Sequence, residues 1–259
     1  MIVVTGATGN IGQPLVAALE SAGEEVRAVS RRGAFPGDLT DASSLRPAFE
    51  GASAVFLLLP PDFRGAVEPV LEQAAGARVV LVSSQGVGTG RHPAFFEDAV
   101  RGSGLEWTVL RPGGFASNAF QWAESVRSSR TLAAPFGDVA LPVIDPADIA
   151  AVAAAALVDS SHAGRTYELT GPVLVSPRDQ AAAISGAVGE PVRFVPQTRE
   201  EARSAMLGFM PPEVAEATLD ILGSPTPAEQ RVSPDVSQVL GRPPRPFADW
   251  AARNAVAFK

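Results

Sequence analysis

The sequence predicts an α/β fold: a parallel, doubly wound sheet followed by a small, mostly helical C-terminal lobe. Three observations carry this. Apolar runs of strand length alternate with helical patterns through the first two-thirds of the chain. Two of these runs, Leu57-Leu58-Leu59 and Val79-Val80-Leu81-Val82, are continuous, as in strands covered on both faces. Three glycines, Gly6, Gly9 and Gly12, stand between the first apolar run and the first helical pattern.

In chain order, strands are expected over residues 2–5, 25–29, 54–59, 79–83 and 107–110. Between them helical spacing runs over 11–22, where Leu15, Val16 and Leu19 recur, and over 43–49, 66–75, 94–101 and 116–126. Asp145-Pro146-Ala147-Asp148 opens an alanine-rich helix to about residue 159. There Asp145 fits as N-cap, Pro146 as the first helical residue and Asp148 as the acceptor two positions on. Residues 167–170 read as a further strand. After Pro172 the pattern loosens into a helix over 177–188, a strand over 192–195 and helices over 200–209 and 212–222. A proline-rich stretch (Pro225, Pro227, Pro234) leads to a last helix near 247–256. The expected division is a dinucleotide-binding domain over 1–172 and a substrate-side lobe over 173–259, packed over the C-terminal edge of the sheet.

At 259 residues and 46% hydrophobic, the chain can bury a full core. Its formal charge of -7 argues against nucleic acid or an anionic membrane as partner, since both want a basic face. With no cysteine, disulfides, thiolate catalysis and cysteine-based metal sites are excluded. The two isolated histidines, His92 and His162, do not suggest a metal site either. Met1 leads straight into a strand, and the longest apolar stretch, residues 149–158, is too short to span a bilayer. A cytoplasmic protein acting on a small molecule, as monomer or homodimer, is expected.

The glycine triplet permits a tight strand-to-helix turn, close approach of backbone to a pyrophosphate, and close helix–strand packing. Unpaired N–H groups at the following helix start then face the phosphates. This places Gly6, Thr8, Gly9, Asn10 and Ile11 at a cofactor and makes the sheet Rossmann-type. The second strand ends in Ser30-Arg31-Arg32, where an NAD site would hold a carboxylate for the ribose 2′-hydroxyl. A hydroxyl and two guanidiniums suit a 2′-phosphate instead, so NADP(H) is the expected cofactor.

With Gly37-Asp38-Leu39-Thr40-Asp41 added, the chain resembles the NmrA-like group of atypical short-chain dehydrogenases/reductases, close to type-2 quinone oxidoreductases. The resemblance runs from residue 1 to about 190. It is densest in Ser103-Gly104-Leu105-Glu106-Trp107-Thr108-Val109-Leu110-Arg111-Pro112-Gly113-Gly114-Phe115, and returns weakly at Val239-Leu240-Gly241-Arg242. It implies that Asp38 and Leu39 lie against the adenine. Leu58, Leu59 and Pro60, within Leu57-Leu58-Leu59-Pro60-Pro61, line the ribose and pyrophosphate; Ser83 and Pro112 fall at the strand ends near the nicotinamide. Asp41 reads as a plain helix cap. One departure stands out: only Gly33-Ala34-Phe35-Pro36 separate Arg32 from Gly37, so the third strand is compressed and the adenine side more open.

Ordinary short-chain dehydrogenases use a Tyr-x-x-x-Lys pair, and these 259 residues contain one tyrosine, Tyr167, and one lysine, Lys259. Ser84, Gln85, His92 and Asn118 are therefore the candidates for polarising an acceptor oxygen. His92 could equally cap a helix before Pro93. Glu97 reads as a surface i,i+4 partner of Arg101, His162 as solvated, and Tyr167 as core, remote in sequence from the Ser83-Ser84 strand end. Arg111 suits either a ligand or an internal salt bridge. Phe95, Phe96, Phe115, Phe120 and Trp122 suit either a flat substrate or the core. Three readings follow: an NADPH-dependent reductase of a quinone, enone or similar electrophile; an NADP(H) sensor without turnover; and a non-redox isomerase or tailoring enzyme on the same fold.

Overall fold

Continuous Val- and Leu-rich segments become the central strands, because both of their faces are covered by helices. The computed structural model describes residues 1–60 and 63–259; Pro61 lies outside the described residues. The chain begins β1 (Ile2–Thr5), α1 (Gly12–Ser21), β2 (Val26–Ser30), β3 (Phe35–Pro36), α2 (Arg46–Phe49), β4 (Ala54–Leu58), α3 (Glu68–Gln73) and β5 (Arg78–Val82). Next come α4 (Gln85–Gly88), α5 (Phe95–Gly102), β6 (Trp107–Pro112), α6 (Ala123–Ser129), β7 (Thr131–Pro135), α7 (Pro146–Val158) and β8 (Arg165–Leu169). It ends with α8 (Pro177–Val188), β9 (Arg193–Gln197), α9 (Arg199–Met206), α10 (Pro212–Gly223), α11 (Asp235–Leu240) and α12 (Phe247–Arg253).

Two units share this chain, and neither is continuous in sequence. The first comprises Met1–Pro112, Pro146–Leu169 and Asp235–Arg242; the second comprises Gly113–Asp145, Thr170–Pro234 and Pro243–Lys259. Against the expected division at 172/173, residues 113–145 and 170–172 fall in the second unit and residues 235–242 in the first.

The first unit is a parallel seven-stranded sheet in the order β3-β2-β1-β4-β5-β6-β8. The order reverses between β1 and β4, the kind of switch point at which doubly wound sheets bind ligands. Thr5, buried at the end of β1, extends that pairing past the ladder. Its hydroxyl donates to the Phe56 carbonyl (3.0 Å) and accepts from the Leu58 N–H (2.9 Å). Val3, Val55, Leu57, Val79, Leu81 and Val109 pack on one face with α3. On the other, α7 lies beside α1 and across β4, β5 and β6.

Residues 235–242 join this unit through two polar staples. Asp235 Oδ2 accepts the Glu168 N–H of β8 (2.7 Å). Gly241 adopts a left-handed φ of 65° after α11, and Arg242 then reaches Asp148 on α7 (2.7 Å), a residue with no exposed surface. The weak return of family pattern at 239–242 thus has a physical basis: the guanidinium neutralises a buried carboxylate.

The second unit holds a parallel pair, β7 with β9, in the register Thr131↔Arg193 to Pro135↔Gln197. β7 is absent from the sequence expectation because Thr131-Leu132-Ala133-Ala134-Pro135 shows neither alternation nor β-branched enrichment. Its partner lies 62 residues on, so no local pattern marks it. The helix expected over 116–126 is a 3₁₀ segment, Ala116–Trp122, followed by α6. Phe120 stands edge-on to Trp250 (4.9 Å) and stacks on Phe258 (6.1 Å), while the Trp122 indole donates to the Ala133 carbonyl (3.0 Å). Trp122 packs against the core of this unit, whereas Phe120 stays 37% exposed at its edge. Asp145 is buried and pairs with Arg253, a partner the capping expectation did not include.

Candidate functional site

The glycine turn is built by contacts only glycine permits. Gly6 takes φ +63° and packs on Leu58, whose Cδ2 lies 3.1 Å from the position a β-carbon would occupy. At Gly12 a β-carbon would stand 2.2 Å from the Gly6 carbonyl oxygen, so α1 starts hard against the turn. A β-carbon at Gly9, by contrast, would meet only the Gly6 oxygen, at 3.3 Å. Gly9 is open on the side where a ligand backbone would approach. Ile11, buried, precedes α1 without a side-chain cap, and the turn is braced by the Gln13 amide donating to the Thr8 carbonyl (2.9 Å). Uncapped N–H groups at a helix start are anion donors.

Two strands away lies a cavity of about 500 Å³ lined by Arg31, Phe35, Pro36, Gly37, Asp38, Ser44, Pro47 and Ala48. β3 has only two residues, Phe35 and Pro36, paired with Val29 and Ser30. Gly37 is required there, because a β-carbon would collide with Leu45 (2.8 Å) and Val29 (2.9 Å). Arg27 supports the wall: its guanidinium lies 5.5 Å from the Phe35 ring centroid and donates to the carbonyls of Pro47, Ala48 and Glu50. Asp38 is held below the ordinary carboxylate pKa, chiefly by the backbone and hydroxyl donors of Thr40, with Arg31 adding its charge. Of the residues expected here, Arg31 and Asp38 reach the cavity. Ser30, Arg32 and Leu39 are not among its lining, and Leu39 packs partly on the sheet core. Asp41 caps the next turn through Ser43. Phe35, Pro36, Gly37, Ser44, Pro47 and Ala48 were not among the expected site residues; a lone aromatic in a compressed strand was the only sequence sign.

At the end of β5 the Ser83 hydroxyl donates to Glu97 Oε1 (2.6 Å). Arg111 grips the same carboxylate through Nε (2.9 Å) and Nη2 (2.7 Å), and Arg101 adds a third contact (2.8 Å). The i,i+4 pair of Glu97 and Arg101 exists, but it is not on the surface: the Glu97 side chain is 1% exposed. Burial alone would raise the Glu97 pKa; the Arg111 and Ser83 hydrogen bonds and the two guanidinium charges outweigh it and lower the value. Arg111 is an internal ion-pair partner, and its own pKa is raised by the Glu97 bonds.

Ser84 caps α4, its Oγ accepting the Gly86 N–H (3.0 Å). Gln85 follows, 8% exposed, and its Nε2 has no hydrogen-bond partner. His92 lays its ring on Gly86, where a β-carbon would be 2.5 Å from Nδ1, and the backbone N–H of His92 donates to the Gly86 carbonyl (3.0 Å). Leu59 is half-buried, Pro60 exposed and Pro112 buried at the end of β6. Asn118 belongs to the second unit, exposed in the 3₁₀ segment.

Tyr167 is nearer to β5 than sequence distance implied: Val82, Leu110 and Tyr167 share one register row across β5, β6 and β8. It nonetheless points away from Ser83, because its neighbour Glu168 shares the Arg111 row and adjacent strand residues face opposite sides. Its hydroxyl lies 2.7 Å from His162 Nδ1, so His162 is a bonded partner and not merely solvated. Burial raises the tyrosine pKa.

The family profile described as NAD(P)H-binding matches residues 6–160. The chain belongs to the NAD(P)H-binding oxidoreductases. It is 38% identical, across 100% of its length and 99% of the relative's, to a (4-alkanoyl-5-oxo-2,5-dihydrofuran-3-yl)methyl phosphate reductase from Streptomyces griseus. With the same coverage it is 34% identical to an NAD(P)H azoreductase from Xenophilus azovorans. The fold matches the NADPH complex of the quinone oxidoreductase QOR2 from Escherichia coli (TM-score 0.81, 22% identity, 98% of this chain and 99% of that one). It also matches triphenylmethane reductase from Citrobacter with NADP(H) (TM-score 0.73, 21% identity, the same coverage). Among the described residues no helix is long and apolar enough to cross a membrane, and no three His, Asp or Glu side chains are placed to hold a metal.

Two outcomes follow from this geometry. Gly9→Val should keep a native circular-dichroism spectrum yet lose NADPH binding in calorimetry; unimpaired binding would mean the turn does not meet the pyrophosphate. Because the folded pKa of Glu97 is depressed, its stabilisation is present above the ordinary value of 4.5 and fades as pH falls through the lower folded value. Glu97→Gln should therefore be less stable than the parent at neutral pH. In urea titrations that gap should narrow as the pH is taken below about 4.5, and a gap independent of pH would contradict the assignment.

Proposed function

We propose that the protein uses NADPH to reduce a conjugated, electron-poor double bond, as in a quinone, an enone or a similar small electrophile. One observation carries the reading. The single tyrosine faces away from the Ser83 side of the sheet and is bonded to His162, so no tyrosine acid serves the end of β5. Without such an acid, the suitable acceptor is one whose reduced form is a stabilised anion that water can protonate. When bound, the reduced nicotinamide supplies the hydride.

The residues fit that cofactor. The glycine turn offers the Gly12 N–H at the start of α1 to a pyrophosphate, and Arg31 offers a guanidinium to a 2′-phosphate at the β2–β3 cavity. The protein aligns the acceptor and keeps water from the reacting carbon. The relatives support the acceptor class. One is named for a dihydrofuran ring bearing 4-alkanoyl and 5-oxo groups, which make its ring double bond electron-poor; the other is named for azo reduction.

Arg31→Ala with Arg32→Ala should weaken NADPH binding by about tenfold or more, since a charge-assisted phosphate contact is worth roughly 1.5–3 kcal/mol. Binding of NADH should hardly change, and equal loss of both cofactors in calorimetry would refute a 2′-phosphate site. Tyr167→Phe should retain most turnover in a screen of quinones and cyclic enones. An essential proton donor would instead cost a factor of about 10² to 10⁴, and a loss of that size with fold and NADPH affinity intact would overturn the acid-free reading.

A further inference from the structure

We infer that the side-chain amide of Gln85 is a hydrogen-bond donor to the acceptor's oxygen, the atom on which negative charge develops during reduction. The inference rests on the proposed reading of the protein as a reductase of conjugated carbonyl acceptors and names the group that polarises them.

Among the described residues Gln85 Nε2 is the one buried side-chain nitrogen or oxygen without a partner. Folded proteins leave few such groups, because removing an amide from water without a replacement bond is costly. The neighbouring polar groups show how unusual this is. Ser83, Glu97, Arg101 and Arg111 satisfy one another, and Ser84 caps α4. Gln85 is 92% withdrawn from solvent beside that network and takes no part in it.

Its position gives the orphan donor a use. Along the carboxyl edge of the sheet the strands run β3, β2, β1, β4, β5. Arg31 marks the β2–β3 end and the glycine turn follows β1. A dinucleotide laid across these therefore places its nicotinamide end toward β4 and β5. Gln85 lies three residues beyond Val82, the last residue of β5. Ser84 stands directly before it. Its Oγ is already an acceptor for the Gly86 N–H, so the proton of that hydroxyl is left to donate. Two neutral donors on consecutive residues make an oxyanion-type pair.

The chemistry balances with the family's cofactor as reductant. A hydride adds to the conjugated carbon and forms a C–H bond there. The C=C π pair shifts to join the α-carbon to the carbonyl carbon and the C=O π pair moves onto the oxygen, giving an enolate (for a quinone, one that tautomerises to the hydroquinone); the hydride's electron pair would come from bound NADPH, which would end as NADP⁺. Gln85 Nε2 and Ser84 Oγ donate to that oxygen as charge grows, and water delivers the final proton. Glutamine donates without giving up a proton, which suits a site lacking a tyrosine acid.

The test uses the full chain with NADPH and two probes, 2-methyl-1,4-naphthoquinone and 2-cyclohexen-1-one. Gln85→Leu should lower kcat for the probe that is turned over by about 10²-fold, the size of one lost oxyanion donor. Its NADPH affinity, from fluorescence titration, should stay within about twofold, as expected when a contact serves the transition state alone. The cofactor-free variant should melt at or above the parent's Tm, because the substitution removes an unsatisfied buried donor. Gln85→Glu should be at least as slow as Gln85→Leu, since a carboxylate repels the developing charge. Turnover of Gln85→Leu within about twofold of the parent would overturn the inference, given the size of a lost donor. A matching loss of NADPH affinity would overturn it too, by placing Nε2 on the cofactor, and so would a lowered Tm, by giving the amide a structural role. If the parent chain reduces neither probe, the proposed function fails first and this inference falls with it.

Discussion

The approach of α1 to the Gly6 carbonyl is the contact on which the rest of the candidate cofactor site depends. With only 2.2 Å between that oxygen and a β-carbon at position 12, the turn closes only when residue 12 has none. Closure sets the helix start directly behind β1 and leaves it without a side-chain cap. In an ordinary helix such orphan N–H groups are a liability, and a Ser, Thr, Asp or Asn would satisfy one of them. Here the Gln13 N–H turns back to the Gly9 carbonyl (3.1 Å) and Pro14 has none, so the Gly12 N–H is the first-turn donor left open. The same turn presses Gly6 onto Leu58, which Thr5 holds in place through the β4 backbone. One steric requirement thus orders β1, α1 and β4 together.

Buried charge organises the remainder of the first unit. Glu97 is almost wholly withdrawn from water and tolerates it because two arginines and a serine converge on its two oxygens. That convergence ties α5 to the ends of β5 and β6. Asp148 and Arg242 play the corresponding part on the opposite face, drawing a short helix from late in the chain back to α7. Such pairs add little net stability compared with well-packed apolar groups, but losing one partner strands the other charge. Their contribution here is geometric, since they fix which segments meet.

Against these satisfied networks Gln85 stands apart. A protein that closes the hydrogen bonds of the buried Glu97 carboxylate so fully, yet leaves the buried Gln85 amide nitrogen open two residues from the serine that helps close them, spends stability in one place and not the other. Functional sites are where such local inconsistency is expected. Gln85 opens α4 just past the carboxyl end of β5, the edge at which doubly wound sheets bind ligands.

By itself the sequence determined the alternation of strands and helices in the first unit, the glycine turn and the NAD(P)H-binding family. Those features are written locally, in continuous apolar runs, helical spacing and residues that must adopt a particular turn. The absence of a Tyr-x-x-x-Lys pair was equally legible, because it is a matter of composition. Tertiary structure alone decided the matters that depend on partners distant in the chain. It buried Glu97, which i,i+4 spacing had placed on the surface, and turned Tyr167 to the face opposite Ser83. It paired β7 with β9, returned residues 235–242 to the first unit and left Gln85 without a partner. The reason is the same in each case: periodicity states which face of an element is apolar, whereas the identity of the group that meets that face is set only when the chain packs.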